Sequence, residues 1–317
     1  MPWQRLGPRI AVARPLGELR AAFARTGLFA LDLDGCIFPR ISQEALGERI
    51  AGRLVRGPLR SGDRRFLLKL LVGGAYRACS RAKALLGWRT PVPRLVAWYE
   101  WAMRGIPEEY FLRAASKLPR RSFPLAAETI ELLASVAPTG IATLGLDVVA
   151  RAYLDSFRVV GGASPSRDTV GGMSSSRGTV GGASLPRDTR RGDTPPTTEA
   201  GLSFFEANTV VFRPGPGGER RFVGYDHERM LTTGEDKRRA VERRMAALGV
   251  SVPTTVGHNE DDLPLARLAR ERGGLAIGFN PQPRIWDEFD AVATGPDWEP
   301  VYALVAMLSF HAVPGTP

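Results

Sequence analysis

Residues 28–35 read Leu-Phe-Ala-Leu-Asp-Leu-Asp-Gly: four apolar side chains, two carboxylates spaced i and i+2, and a closing glycine. An unbroken apolar run of this length, ended by a turn residue, marks a strand covered on both faces in a parallel sheet. The period of two puts Asp32 and Asp34 on the same side of that strand. They fall at its carboxyl end, where open α/β sheets bind their ligands. Two carboxylates held side by side repel each other unless a cation or a shared proton relieves them. An isolated Asp-x-Asp string is more often a solvated acidic turn, so its meaning depends on the motifs that follow.

A chain of 317 residues with 44% hydrophobic and 24% charged side chains can bury a full core as one large domain or two smaller ones. The net charge of +10 comes almost wholly from arginine, since only Lys69, Lys83, Lys117 and Lys237 are lysines among 43 basic residues. Such a field favours anionic partners, whether phosphates, nucleic acid or acidic lipid headgroups, without choosing among them. Cys36 and Cys79 make no disulfide framework and no CxxC pair. Arg14, Arg20 and Arg25 interrupt the apolar stretches near the N-terminus, and no segment is long enough to span a bilayer. A soluble cytoplasmic protein is the expectation.

Along the chain, a helix is expected over 16–25 and the first strand over 28–33. Residues 41–123 carry helical periodicity at 44–55, 64–71 and 94–103, punctuated by prolines 58, 91, 93, 107 and 119. This reads as a helical unit inserted after the first strand, and it holds Trp88, Trp98 and Trp101. A helix over 125–136, a strand over 140–143 and a helix over 148–157 follow. Residues 160–189 are a glycine-rich decapeptide in three copies, beginning Val160-Gly161-Gly162-Ala163-Ser164-Pro165-Ser166-Arg167-Asp168-Thr169. So few large apolar residues cannot offset the entropy of ordering them, and 160–198 is expected to be a disordered insertion. Beyond it, 209–213 and 221–225 alternate around a Pro-Gly-Pro-Gly-Gly turn and predict a hairpin. Thr233 is placed to cap a helix running to about 248, with Glu235 and Asp236 in its first turn and Lys237 beside them. Strands at 252–256, 275–279 and 291–294 alternate with helices at 263–272 and 300–310, the pattern of a parallel α/β sheet.

Four pieces thus lie in one order: Asp32-Leu33-Asp34-Gly35, Thr143 after a strand, Lys237 opening a helix, and an acidic loop ending at Asp262 after another strand. This order resembles the motifs of the haloacid dehalogenase (HAD) superfamily. The segments Glu206-Ala207-Asn208-Thr209-Val210-Val211, Asp262-Leu263-Pro264-Leu265 and Leu275-Ala276-Ile277-Gly278-Phe279-Asn280-Pro281 look like its phosphoserine phosphatase-like branch. The resemblance covers about 26–40 and 105–310. It implies a Rossmannoid α/β core of parallel strands, formed by 1–40 and 124–317, with a helical cap at 41–123.

It also implies a metal-dependent phosphomonoester hydrolase acting through an aspartyl-phosphate. By that resemblance Asp32 is the nucleophile and Asp34 the acid and base. Thr143 donates to a phosphoryl oxygen, assisted by backbone N–H groups near Gly145, and Lys237 pairs with the phosphoryl group and Asp32. Mg²⁺ is held by Asp32, the main-chain carbonyl of Asp34 and Asp262. The branch has Gly-Asp where this chain has Gly257-His258, and histidine suits magnesium poorly, so Mn²⁺ is the alternative ion and a weakened phospholigand sensor or scaffold the alternative function. Glu260 and Asp261 are further oxygen donors in that loop. The expected partner is a small or moderately bulky anionic phosphate ester. Arg60, Arg64, Arg65, Arg77, Arg81 and Arg89 make the inserted unit basic. Nucleic acid is not the expected partner, because no recognised binding motif accompanies the charge.

Overall fold

The apolar run at 28–31 forms β3 (Leu28–Leu31), every residue of which is buried. Its alternate side chains enter two different clusters, Phe29 and Leu31 on one face and Leu28 and Ala30 on the other, so helices cover both sides. The computed structural model describes residues 3–56, 68–69, 71–75, 78–79, 92–157 and 201–309. The proposed disordered insertion at 160–198, Trp88, and the arginines at 60, 64, 65, 77, 81 and 89 lie outside them, as does most of the helix expected at 64–71.

β3 is flanked in parallel by β4 (Thr139–Leu146) and β8 (Pro253–Gly257), and the parallel run extends to β5 (Leu202–Asn208) on one side and to β9 (Ala276–Phe279) and β10 (Ala291–Ala293) on the other. β2 (Ile10–Val12) and β1 (Gln4–Gly7) add antiparallel strands beyond β10, giving eight strands in the order β1-β2-β10-β9-β8-β3-β4-β5. This is a mostly parallel α/β sheet, the class expected. The carboxyl ends of β3, β4 and β8 therefore sit side by side. No described helix is long and apolar enough to cross a membrane.

Helices α1 (Leu16–Ala24), α2 (Ser42–Arg56), α3 (Val92–Met103), α4 (Glu108–Ala115), α5 (Ala126–Ala134) and α6 (Asp147–Ser156) occupy the first half. α7 (Gly234–Leu248), α8 (Leu263–Glu271) and α9 (Glu299–Ser309) follow in the second. Val241, Met245, Leu265 and Leu268 of α7 and α8 cover Leu28 and Ala30. The predicted hairpin is β6 (Val210–Pro214) and β7 (Arg220–Tyr225). It joins the inserted helices directly: Gly105 N–H donates to the Phe222 carbonyl at 2.8 Å, Phe222 N–H donates to the Ile106 carbonyl at 2.9 Å, and Phe111 of α4 stacks on Phe222 at 5.3 Å between centroids.

Three differences from the sequence expectation have local causes. β3 ends at Leu31 rather than at residue 33, because the Leu33 carbonyl accepts turn bonds from the N–H groups of Cys36, Ile37 and Phe38. No strand is expected before residue 28, yet β1 and β2 form an edge hairpin, its four- and three-residue strands being too short to show a period. No strand is expected at 202–208 either, where β5 is an edge strand whose pairing with β4 shifts register twice.

Candidate active site

The site begins at Asp32, the first residue past β3, whose N–H still bonds to the Val256 carbonyl of β8 at 2.9 Å. That bond anchors the acid to the sheet while the chain turns away at Asp34-Gly35. Gly35 has φ +83°, and a Cβ there would collide with the His258 imidazole, so the turn and the histidine both require glycine.

Lys237 arrives from α7. Thr233 caps this helix by accepting from Asp236 N–H, and the Asp236 carboxylate accepts in return from Thr233 N–H, the reciprocal box expected of Thr-x-x-acid. One turn later the Lys237 ammonium, 1% exposed, donates to Asp32 Oδ1 at 2.7 Å and to Asp262 Oδ1 at 2.5 Å. Asp262 stands at the start of α8, where Gly257 has no side chain to obstruct it, and its Oδ2 accepts from the N–H groups of His258 (2.7 Å) and Asn259 (3.2 Å). His258 places Nδ1 3.1 Å from Asp32 Oδ2 and 3.4 Å from Asp262 Oδ2.

Two acids and two bases thus close a ring whose formal charges cancel when His258 is protonated. On Lys237, His258 and Asp262 burial opposes charge, and the opposite charges outweigh it. The carboxylates of Asp262 and Asp32 raise Lys237 above the usual ammonium range, and hydrogen bonds to the same two acids lift His258 to about 10. Lys237 and His258 hold Asp262 well below the ordinary carboxylate range.

Asp34 has no cation within bonding distance among the described residues. Burial pushes its carboxyl up to about 6, and the Asp32 charge acts in the same direction. Its Oδ1 accepts from Ser42 N–H, the first residue of α2, at 2.8 Å. A Cβ on Gly145 would lie 3.1 Å from Thr143 Oγ1, 3.2 Å from Ser42 Oγ and 3.5 Å from Asp34 Oδ2, so three side-chain oxygens converge around this glycine. Gly145 N–H donates to Thr143 Oγ1 at 2.9 Å. It is therefore engaged with the threonine, and the Thr143 hydroxyl hydrogen remains available to donate.

The fold accordingly brings Asp32, Lys237 and Asp262 into contact, and sets Asp34 beside Thr143 through Gly145. Two contributors were not singled out from sequence. Ser42 was hidden among helix-forming residues; it is buried, and its hydroxyl stands beside the Asp34 carboxyl, whose upward shift it opposes. Asn208 ties β5 to the site's frame, its amide donating to the carbonyls of Leu144 (2.8 Å) and Leu231 (3.0 Å) and its Oδ1 accepting from Leu231 N–H (2.6 Å). An asparagine ending a strand was the available signal for it.

Asp32, His258 and Asp262 each offer one ligand atom, all within 4.8 Å of one another, and form a group able to hold a metal ion. Asp34 contributes no side-chain atom to this group. Two carboxylates and an imidazole fit a divalent ion that accepts nitrogen better than they fit magnesium.

No protein-family model and no curated protein matches the sequence. Solved structures do match. A HAD-family hydrolase from Salmonella enterica subsp. enterica serovar Typhi superposes with a TM-score of 0.54 at 12% identity, over 90% of this chain and 72% of that one. A phosphoserine phosphatase in apo form gives 0.52 at 12% identity, over 88% and 98%. Cytosolic 5′-nucleotidase IIIB bound to cytidine gives 0.52 at 11% identity, over 96% and 94%. These likenesses are of fold: the chain has the fold of the HAD-family hydrolases, phosphoserine phosphatases among them, as the order of its motifs implied.

Proposed function

We propose that the chain hydrolyses phosphomonoesters through a covalent phosphoryl group on Asp32. The observation that carries this reading is the contrast between two acids one residue apart. Asp32 is held by Lys237 and His258, whereas Asp34 lacks a cationic partner among the described residues and is pushed up to about 6. Neighbouring carboxylates in such different surroundings divide the labour of nucleophile and proton donor.

In the first step an Asp32 oxygen attacks phosphorus and the ester P–O bond breaks. Asp34 gives its proton to the departing alkoxide. In the second, Asp34 takes a proton from water, the resulting hydroxide attacks phosphorus, and the acyl-phosphate bond breaks to return Asp32 and release orthophosphate. Lys237 meets the charge shared between Asp32 and the phosphoryl oxygens, while Thr143 donates its free O–H. The buried Ser42 hydroxyl, near the same point, is a further donor. Asp32, His258 and Asp262 would hold a divalent ion, Mn²⁺ in preference to Mg²⁺, which supplies Lewis-acid neutralisation of the phosphoryl charge.

We read 41–123 as a cap on the core formed by 1–40 and 124–317. Gln43, Val96 and Tyr99 of the cap face Leu144, Asn208 and Thr232 across a cavity of about 130 Å³. No ionised side chain among the described residues lines it, which suits a compact, uncharged leaving group and offers no counter-charges for the amino and carboxylate groups of a phosphoamino acid. The test is phosphate release from a panel of monoesters with Mg²⁺ and Mn²⁺ supplied separately. Turnover abolished by Asp32→Asn is expected, and no release from any ester would end the proposal.

A second reading, a phospholigand sensor, draws on the charge balance of Asp32, Asp262, Lys237 and His258, which needs no further cation. It expects phosphoester-induced thermal stabilisation without turnover in the same panel.

A further inference from the structure

A second charged feature lies apart from the residues around Asp32. α2, α4 and the turn that follows α4 border an open groove of about 600 Å³, and six cationic side chains line it: Arg49, Arg53, Arg56, Arg113, Lys117 and Arg121. Glu48, its one lining carboxylate among the described residues, is bonded to Arg40, and Arg113 pairs with Glu109 at 3.4 Å. Arg49, Arg53, Arg56, Lys117 and Arg121 have no carboxylate partner among the described residues. Cations gathered this closely repel one another, and a solvated face would let each point separately into water.

Arg49 does so only in part: its Nε is buried and has no hydrogen-bond partner among the described residues, which is unfavourable for a buried polar group. Burial, and then the Arg121 charge, hold its guanidinium below the ordinary arginine range. Arg53 lies over the Tyr110 ring, 5.0 Å from its centroid, which limits where its guanidinium can go. Among the described residues the groove is therefore a partly assembled set of donors lacking an acceptor.

We propose that this groove binds a compact polyanion bearing two or more phosphoryl groups, at a site separate from the Asp32 centre. Guanidinium forks match phosphoryl oxygens in pairs, and multiple phosphoryl groups are needed to balance the five cations that lack a carboxylate partner among the described residues. The volume fits a ligand of nucleotide size or smaller. A short open groove confined to α2, α4 and the turn after α4 favours this over a nucleic-acid strand, which needs a continuous basic track. The inference does not depend on the phosphatase reading.

Calorimetric titration of the full chain with inorganic tripolyphosphate and ATP, alongside orthophosphate and a mixed-sequence single-stranded RNA, tests it. Saturable one-to-one binding of tripolyphosphate is expected, with orthophosphate much weaker. Equal binding of ATP would identify the phosphoryl chain as what is recognised, and tighter binding of ATP would add the nucleoside to it. The exposed-site variants Arg53→Glu and Lys117→Glu should each weaken binding by about tenfold, while Asp32→Asn should leave it unchanged. Circular dichroism of each variant separates loss of binding from loss of fold. Absence of saturable tripolyphosphate binding, binding that survives both charge reversals, or binding of RNA alone overturns the proposal.

Discussion

Lys237 Nζ lies 2.7 Å from Asp32 Oδ1 although 205 residues separate the two in sequence. The contact joins the end of β3 to the first turn of α7, and its second arm reaches Asp262. The ammonium is the shared counter-charge of two buried acids.

Replacing it by methionine should therefore be costly. Lys237→Met keeps the volume but leaves two buried carboxylates with His258 alone, and breaking a buried pair from one side costs about 3–5 kcal/mol. Equilibrium urea unfolding should show that loss, along with loss of phosphate release. A change below about 1 kcal/mol, typical of exposed pairs, would mean that the ring is solvated in the working protein.

Asp34→Asn removes a transferable proton while keeping the shape of the turn and an acceptor for Ser42 N–H. Turnover of an unactivated alkyl phosphate should fall by about 10²–10⁴, the usual contribution of acid–base catalysis. An ester with a good leaving group should suffer less in the first step, because its departure needs less protonation. Equal losses for both esters under single-turnover conditions would remove Asp34 from the leaving-group step.

The cap of α7 has a pH signature. Burial opposes ionisation of Asp236, but hydrogen bonds from Thr232 and Thr233 outweigh it and lower the carboxyl from 3.8 to about 2. A depressed acid stabilises the fold at pH above its unfolded value, and that stabilisation is lost as pH falls through the folded value. Asp236→Asn should cost about 1 kcal/mol at neutral pH, and the gap to the parent should close as the pH approaches 2. A gap that widens in acid would contradict the assignment.

His258 tests the metal preference. His258→Asp replaces the imidazole with oxygen, which should raise phosphate release with Mg²⁺ relative to Mn²⁺. An unchanged ratio would show that the residue does not touch the ion.

The amphipathic and apolar periods at 28–31, 126–134, 234–248 and 263–271 announced their elements because local pattern and tertiary burial agree there. Thr233-x-x-Asp236 even announced its cap, since that interaction spans a single turn. The order Asp32, Thr143, Lys237, Asp262 was equally legible, as it consists of residue types at strand ends and helix starts. β1, β2 and β5 were not, because short edge strands are specified by the neighbour that accepts them.

The sequence by itself thus determined a mostly parallel α/β sheet and which acids stand at its carboxyl edge, since hydrophobic period and turn chemistry act over a few residues. Only the tertiary structure decided that Lys237 bridges Asp32 and Asp262, that His258 covers Gly35 and faces both acids, and that Ser42 joins Asp34 and Thr143 around Gly145. Those relations depend on how four separate chain segments meet in space, and burial there sets the charges that no local pattern encodes.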